Sequence, residues 1–190
     1  MKIRQLLICA LFAALTAAGA VFIKVPVPGT MLIFTFQTFF VFLSGFLLTP
    51  KYALISQLVY IAIGLLGLPV FSKGGGLWYI FEPSFGFLPG FALCAFFISA
   101  LIRKTIAERL TAKSLLKISV YALVCIASMY AAGIGYMYAV LNLYIKTPVT
   151  LGYVIVSATG IYFFFDAIKF IMALLLGMAV LKRMPNKALW

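Results

Sequence analysis

Asp166 and Lys169 stand three residues apart in an otherwise apolar stretch, Tyr-Phe-Phe-Phe-Asp-Ala-Ile-Lys, from Tyr162 to Lys169. That spacing puts both on one face of a helix. A charge near the middle of a membrane helix costs about 2.5–3.5 kcal/mol on insertion scales, so such residues face a bundle interior, a partner or a ligand. The pair can be a plain ion pair, each charge neutralising the other. It can also be a polar anchor offering a small molecule one acceptor and one donor. A third option, acid–base catalysis, calls for a second carboxylate, a histidine or a nucleophile nearby. The chain has only three acidic residues and no histidine. His-based metal sites and His catalysis are therefore excluded, and an intramembrane enzyme has little to work with.

Composition fixes what holds the pair. With 66% hydrophobic and 9% charged residues over 190 positions, the chain lies far from soluble proteins, where about a quarter of residues are charged. The sequence predicts an all-α integral membrane protein of six transmembrane helices, with spans near residues 6–23, 31–48, 52–68, 85–102, 118–141 and 161–181 in one domain. Each helix needs about 20 apolar residues, which leaves no room for an ATP-binding domain. The net charge of +12 does not indicate nucleic acid, because the basic residues sit at the ends of apolar runs instead of forming a wet patch. Cys9, Cys94 and Cys125 all fall in apolar segments and read as small buried hydrophobes.

The first span follows Lys2 and Arg4 and resembles a signal peptide in outline, although an uncleaved span suits a polytopic chain better. Ala10, Ala14 and Ala18 form one row on it, and Ala13 and Ala17 a second. Small residues at this spacing let another helix approach closely, within the bundle or from a partner. Val25-Pro26-Val27-Pro28-Gly29 is expected as a stiff extended loop. Gln37 and Gln57 are polar positions inside the second and third spans, able to bond a neighbouring helix. Between residues 67 and 90 lies a glycine-rich connection containing Lys73, Gly74, Gly75 and Gly76, followed by Trp78, Tyr79, Phe81 and Glu82. It lacks the order of a nucleotide loop, leaving a flexible connection or the wall of a ligand site. Residues 150–160 are expected as a half-inserted or surface helix, interrupted by Gly152 and Gly160.

Charge sets the orientation. With the amino terminus inside, Lys2, Arg4, Lys51, Arg103, Lys104, Arg109, Lys113, Lys117, Lys182, Arg183 and Lys187 face the cytoplasm, against Lys24, Lys73 and Lys146 outside. The excess of cytoplasmic Lys and Arg predicts both termini inside. Asp166 then lies about 7 Å below the outer end of its helix at 1.5 Å per residue. The proline-rich and glycine-rich loops come to the same outer side, and a pocket open to the outside is expected.

Several ordered pieces carry a resemblance: Val-Pro-Val-Pro at 25–28, Gln37-Thr38-Phe39-Phe40, Leu47-Leu48-Thr49-Pro50-Lys51-Tyr52, Gly67-Leu68-Pro69-Val70-Phe71, Pro83-Ser84-Phe85-Gly86-Phe87 and Asp166-Ala167-Ile168-Lys169. Together they resemble the BioY family, the biotin-binding S components of energy-coupling-factor (ECF) transporters. The resemblance implies a multi-pass subunit of a prokaryotic plasma membrane that captures biotin from outside. It implies association with a transmembrane coupling protein and two cytoplasmic ATPases that use ATP, this chain holding no cofactor. It also implies that the alanine rows face the coupling protein and that Asp166 and Lys169 contribute to the biotin site. The candidate ligand set is Asp166, Lys169, Tyr162, Gln37, Lys73, Gly74, Gly75, Gly76, Tyr79 and Glu82. Lys73 interrupts the glycine run, and Glu82 stands where the family's usual G-P-[TS]-G-G-Y begins with glycine. The open alternatives are an S component for another small anionic vitamin or cofactor, or a self-contained secondary transporter.

Overall fold

The computed structural model of the chain describes residues 3–29, 32–103, 105 and 112–183. Met31, at the expected start of the second span, and Lys2, Lys104, Arg109 and Lys187 of the charge count lie outside the described residues. Six α-helices are present among the described residues: α1 (Ile3–Val21), α2 (Gln37–Leu47), α3 (Pro50–Leu65), α4 (Phe87–Phe97), α5 (Ala112–Ala139) and α6 (Leu151–Arg183). Short π-helical turns, Ile98–Ile102 and Val140–Tyr144, prolong α4 and α5. Stretches covering α1, α5 with its extension, and α6 are long and apolar enough to cross a membrane, while α2, α3 and α4 are shorter apolar helices.

Local chemistry sets the boundaries. Thr49 and Pro50 open α3, proline occupying the first turn where its missing N–H goes unused. The α3 end is followed by Gly67 at φ +109°, the left-handed geometry that glycine adopts after a helix. The apolar run preceding α2 divides: Ile33–Thr35 is a β-strand (β2), paired antiparallel with β1 (Lys24–Pro26) so that Lys24 faces Thr35, Val25 faces Phe34 and Pro26 faces Ile33. The proline-rich loop is therefore one arm of a short hairpin.

Backbone geometry departs from helical at Gly160 (φ −17°, ψ −111°), so α6 is kinked there, with a short helical segment before Gly160 and a longer one after it. Along α6 the buried residues are Val154, Ser157, Ala158, Tyr162, Asp166, Lys169, Phe170, Ala173 and Gly177. They recur every three or four residues, which is one helical stripe. The same periodicity that buries Ala158 and Ala173 thus aligns Tyr162, Asp166 and Lys169 toward the bundle axis. Phe170, next to Lys169, packs edge-to-face on Phe42 and Phe46 of α2, each pair 5.3 Å between centroids. This aromatic layer supports the polar residues from below. On the other wall, a Cβ on Gly90 of α4 would come within 2.8 Å of the Met129 carbonyl oxygen. Only glycine allows α4 and α5 to approach so closely, and Tyr130 is the next residue on that surface. Gln57 donates to Ser44 at 3.3 Å, joining α2 and α3 through buried side chains, the bland role open to either glutamine.

A cavity between the hairpin and the helices

The inner stripe of α6 meets β2 and α2 at a dense polar cluster. Asp166 and Lys169 are both 5% exposed and pair at 2.9 Å. Thr38, one residue into α2, donates its hydroxyl to Asp166 Oδ1 at 2.7 Å and accepts from Lys169 Nζ at 3.0 Å. Tyr130 of α5 donates to Asp166 Oδ2 at 2.8 Å. Lys169 Nζ also donates to the Thr35 carbonyl at 2.9 Å and stands 4.2 Å above the centre of the Phe34 ring, a cation–π arrangement.

Counting bonds gives the two charges different capacities. An ammonium has three N–H donors, and those of Lys169 go to Asp166, Thr38 and Thr35. A carboxylate has about four acceptor positions, and Asp166 receives Lys169, Thr38 and Tyr130. Asp166 can therefore accept one more N–H without losing a bond, whereas Lys169 must exchange one. With three donors around it, the Asp166 carboxylate is held in one direction within an apolar surround.

These groups line a cavity between the hairpin and the helices, open on one side. Its walls come from β2, α2, α4, α5, α6 and the loop before α4, with Phe87, Leu88, Phe91 and Met129 as the apolar side. Ser72, Tyr79 and Ser84 bring the loop before α4 into the lining and are joined in series, Tyr79 OH lying 3.1 Å from Ser72 Oγ and 3.3 Å from Ser84 Oγ.

Of the candidate residues, Asp166, Lys169, Tyr162, Gln37 and Tyr79 line this cavity. Tyr162 donates to the Leu32 carbonyl at 2.6 Å, and Gln37 Nε2 donates to Tyr60 OH at 2.6 Å, which in turn donates to the Val70 carbonyl at 3.1 Å. Lys73 lines an adjoining outer hollow, and Glu82 pairs with it at 2.8 Å. Gly74, Gly75 and Gly76 line neither space. They serve the backbone: Gly74 and Gly76 have φ of +123° and +101°, and a Cβ on Gly75 would overlap the Leu68 carbonyl oxygen. Thr35, Thr38 and Tyr130 also meet the charged pair, and residue type alone does not mark them as site residues. A hydroxyl in an apolar helix is too common to mark a site, and only the burial of Asp166 calls for donors around it.

A bundle of six helices among the described residues, with an acid and a base buried against a cavity of mainly apolar lining, defines a membrane-embedded small-molecule-binding protein. The fold matches a crystal structure described as the S-component for biotin from an ECF-type ABC transporter, with a TM-score of 0.78 across 96% of this chain and 93% of that one, at 20% identity. The chain belongs to the BioY family, whose profile matches residues 1–186. A probable biotin transporter BioY of Lysinibacillus sphaericus is 46% identical over 142 residues, 75% of this chain and 68% of that protein. The biotin transporter BioY of Thermotoga maritima is 33% identical over 187 residues, 94% of this chain and 96% of its own length.

Proposed function

We propose that this chain is the biotin-binding S component of an ECF-type uptake transporter, a single membrane domain in a prokaryotic plasma membrane with both termini cytoplasmic. The observation that carries the reading is the buried Asp166–Lys169 pair lining a cavity with mainly apolar walls. Biotin's bicyclic head has two ureido N–H donors, one carbonyl and a hydrocarbon–thioether body. The free acceptor position of Asp166 suits a ureido N–H, and Lys169 can exchange one bond for the ureido carbonyl. Phe87, Leu88 and Phe91 supply the apolar contact, and Tyr162 and Gln37 hold the surrounding elements.

The alanine rows fit a partner surface. Ala10, Ala13, Ala14, Ala17 and Ala18 line a shallow hollow with Val21, Phe22, Tyr60, Ile63 and Val70, its lining overwhelmingly apolar. Close helix approach over such small residues suits docking of a transmembrane coupling protein, which two cytoplasmic ATPases would drive. In this reading biotin is taken from the outer side and released inward when the partner moves the subunit, ATP being used by the partners alone.

Binding of radiolabelled biotin to the purified chain tests the assignment. Saturable binding at submicromolar ligand is expected, with a loss of about a hundredfold in Lys169→Ala, the scale for breaking a buried charged hydrogen bond. A correctly folded sample that binds no biotin overturns the reading.

A further inference from the structure

The two charged residues of the glycine-rich loop find each other: Lys73 Nζ lies 2.8 Å from Glu82 Oε2, their side chains 33% and 35% exposed. Lys73 lines an open hollow that shares Leu32 and Ile33 with the inner cavity, so the two spaces adjoin at those residues. Of the three lysines assigned to the outer loops, Lys24 and Lys146 line neither space; among the described lining residues Lys73 and Lys169 are the cations. Lys169 has its three donors engaged deep in the site. Lys73 gives one hydrogen bond among the described residues, to Glu82, and an ammonium has three to give.

Resting on the biotin reading above, we propose that Lys73 is the anchor for the carboxylate of the ligand's aliphatic tail and that Glu82 opposes it. With the bicyclic head against Asp166, the tail extends past Leu32 and Ile33 into the hollow where Lys73 offers its remaining N–H groups. Glu82 keeps Lys73 extended and in place. Its own negative charge repels the incoming carboxylate, so the pair balances orientation against affinity. The site then carries two separate recognition elements, the buried Asp166–Lys169 pair for the head and the remaining N–H groups of Lys73 for the tail.

Comparing biotin with biotinamide, whose tail is uncharged, on the full-length purified chain isolates the tail. Lys73→Gln is expected to weaken biotin by about fivefold, the scale of a partly exposed ion pair, and to leave biotinamide unchanged. Glu82→Gln is expected to tighten biotin by about twofold to fivefold and again to spare biotinamide. The exchange variant Lys73→Glu/Glu82→Lys restores an ion pair, so a merely structural role predicts rescue, whereas the anchor predicts that biotin stays weak. Equal effects on both ligands, no effect on either, or rescue by the exchange overturns the anchor while leaving the biotin reading intact. A wild-type chain that binds neither ligand overturns both.

Discussion

A carboxylate and an ammonium withdrawn from water together are tolerable, and separating them is costly. Removing one partner of a buried pair costs about 3–5 kcal/mol because the other charge is left unmatched. Asp166→Asn should therefore lower the thermal midpoint in detergent as well as abolish biotin binding. The double variant Asp166→Asn/Lys169→Met should recover most of the stability and none of the binding, and a melt alongside a binding assay separates these outcomes. Thr38→Val keeps shape while removing the hydroxyl that bridges both charges; biotin affinity is expected to fall about tenfold, or 1.4 kcal/mol, by isothermal titration. The charged pair was legible in sequence because charge inside an apolar helix is rare. Its partners were not. Two of the bonds that hold the hairpin, from Tyr162 to Leu32 and from Lys169 to Thr35, end on backbone carbonyls, which leave no mark in residue type.

Among the elements, α6 carries the site on one stripe, and its neighbours are placed by close approach. At Gly90 the α4 backbone abuts Met129, so Gly90→Val would push α5 outward with Tyr130 on it. Overpacking of this kind costs about 1–3 kcal/mol, and the expected readout is a lower melting midpoint together with weaker biotin binding. Apolar run length was enough to anticipate six helices, since it follows directly from side-chain type, but not their boundaries. The hairpin was less visible: Ile33–Thr35 continues an apolar run into α2, and a short apolar strand has no signature distinct from helix until its pairing partner is known. Gly160 departs from helical geometry, as its residue type suggests, and the kink there separates a short first segment of α6 from the long helix that carries Asp166 and Lys169. The glycines at 74–76, expected in a flexible connection or the wall of a ligand site, bring the loop against the end of α3, through Gly76 N–H to the Gly64 carbonyl at 2.7 Å.

For the whole molecule, the ligand cavity and the alanine hollow use different residues, sharing none of their linings. Capture and coupling can therefore be separated by mutation. Ala14 is exposed on α1, and Ala14→Trp should leave biotin binding by the isolated chain within about twofold. The same variant should abolish ATP-dependent uptake when co-expressed with the coupling protein and ATPases, measured in whole cells. Loss of binding in the isolated chain would contradict the separation. The buried pair also bears on the voltage across the membrane. Moving one unbalanced elementary charge through 100 mV involves about 2.3 kcal/mol of electrical work. Asp166 and Lys169 sum to zero within 2.9 Å, so a subunit that carries them through the field as a unit does no net electrical work on them. The buried charge pair in the cavity is thus one that the membrane potential neither helps nor hinders.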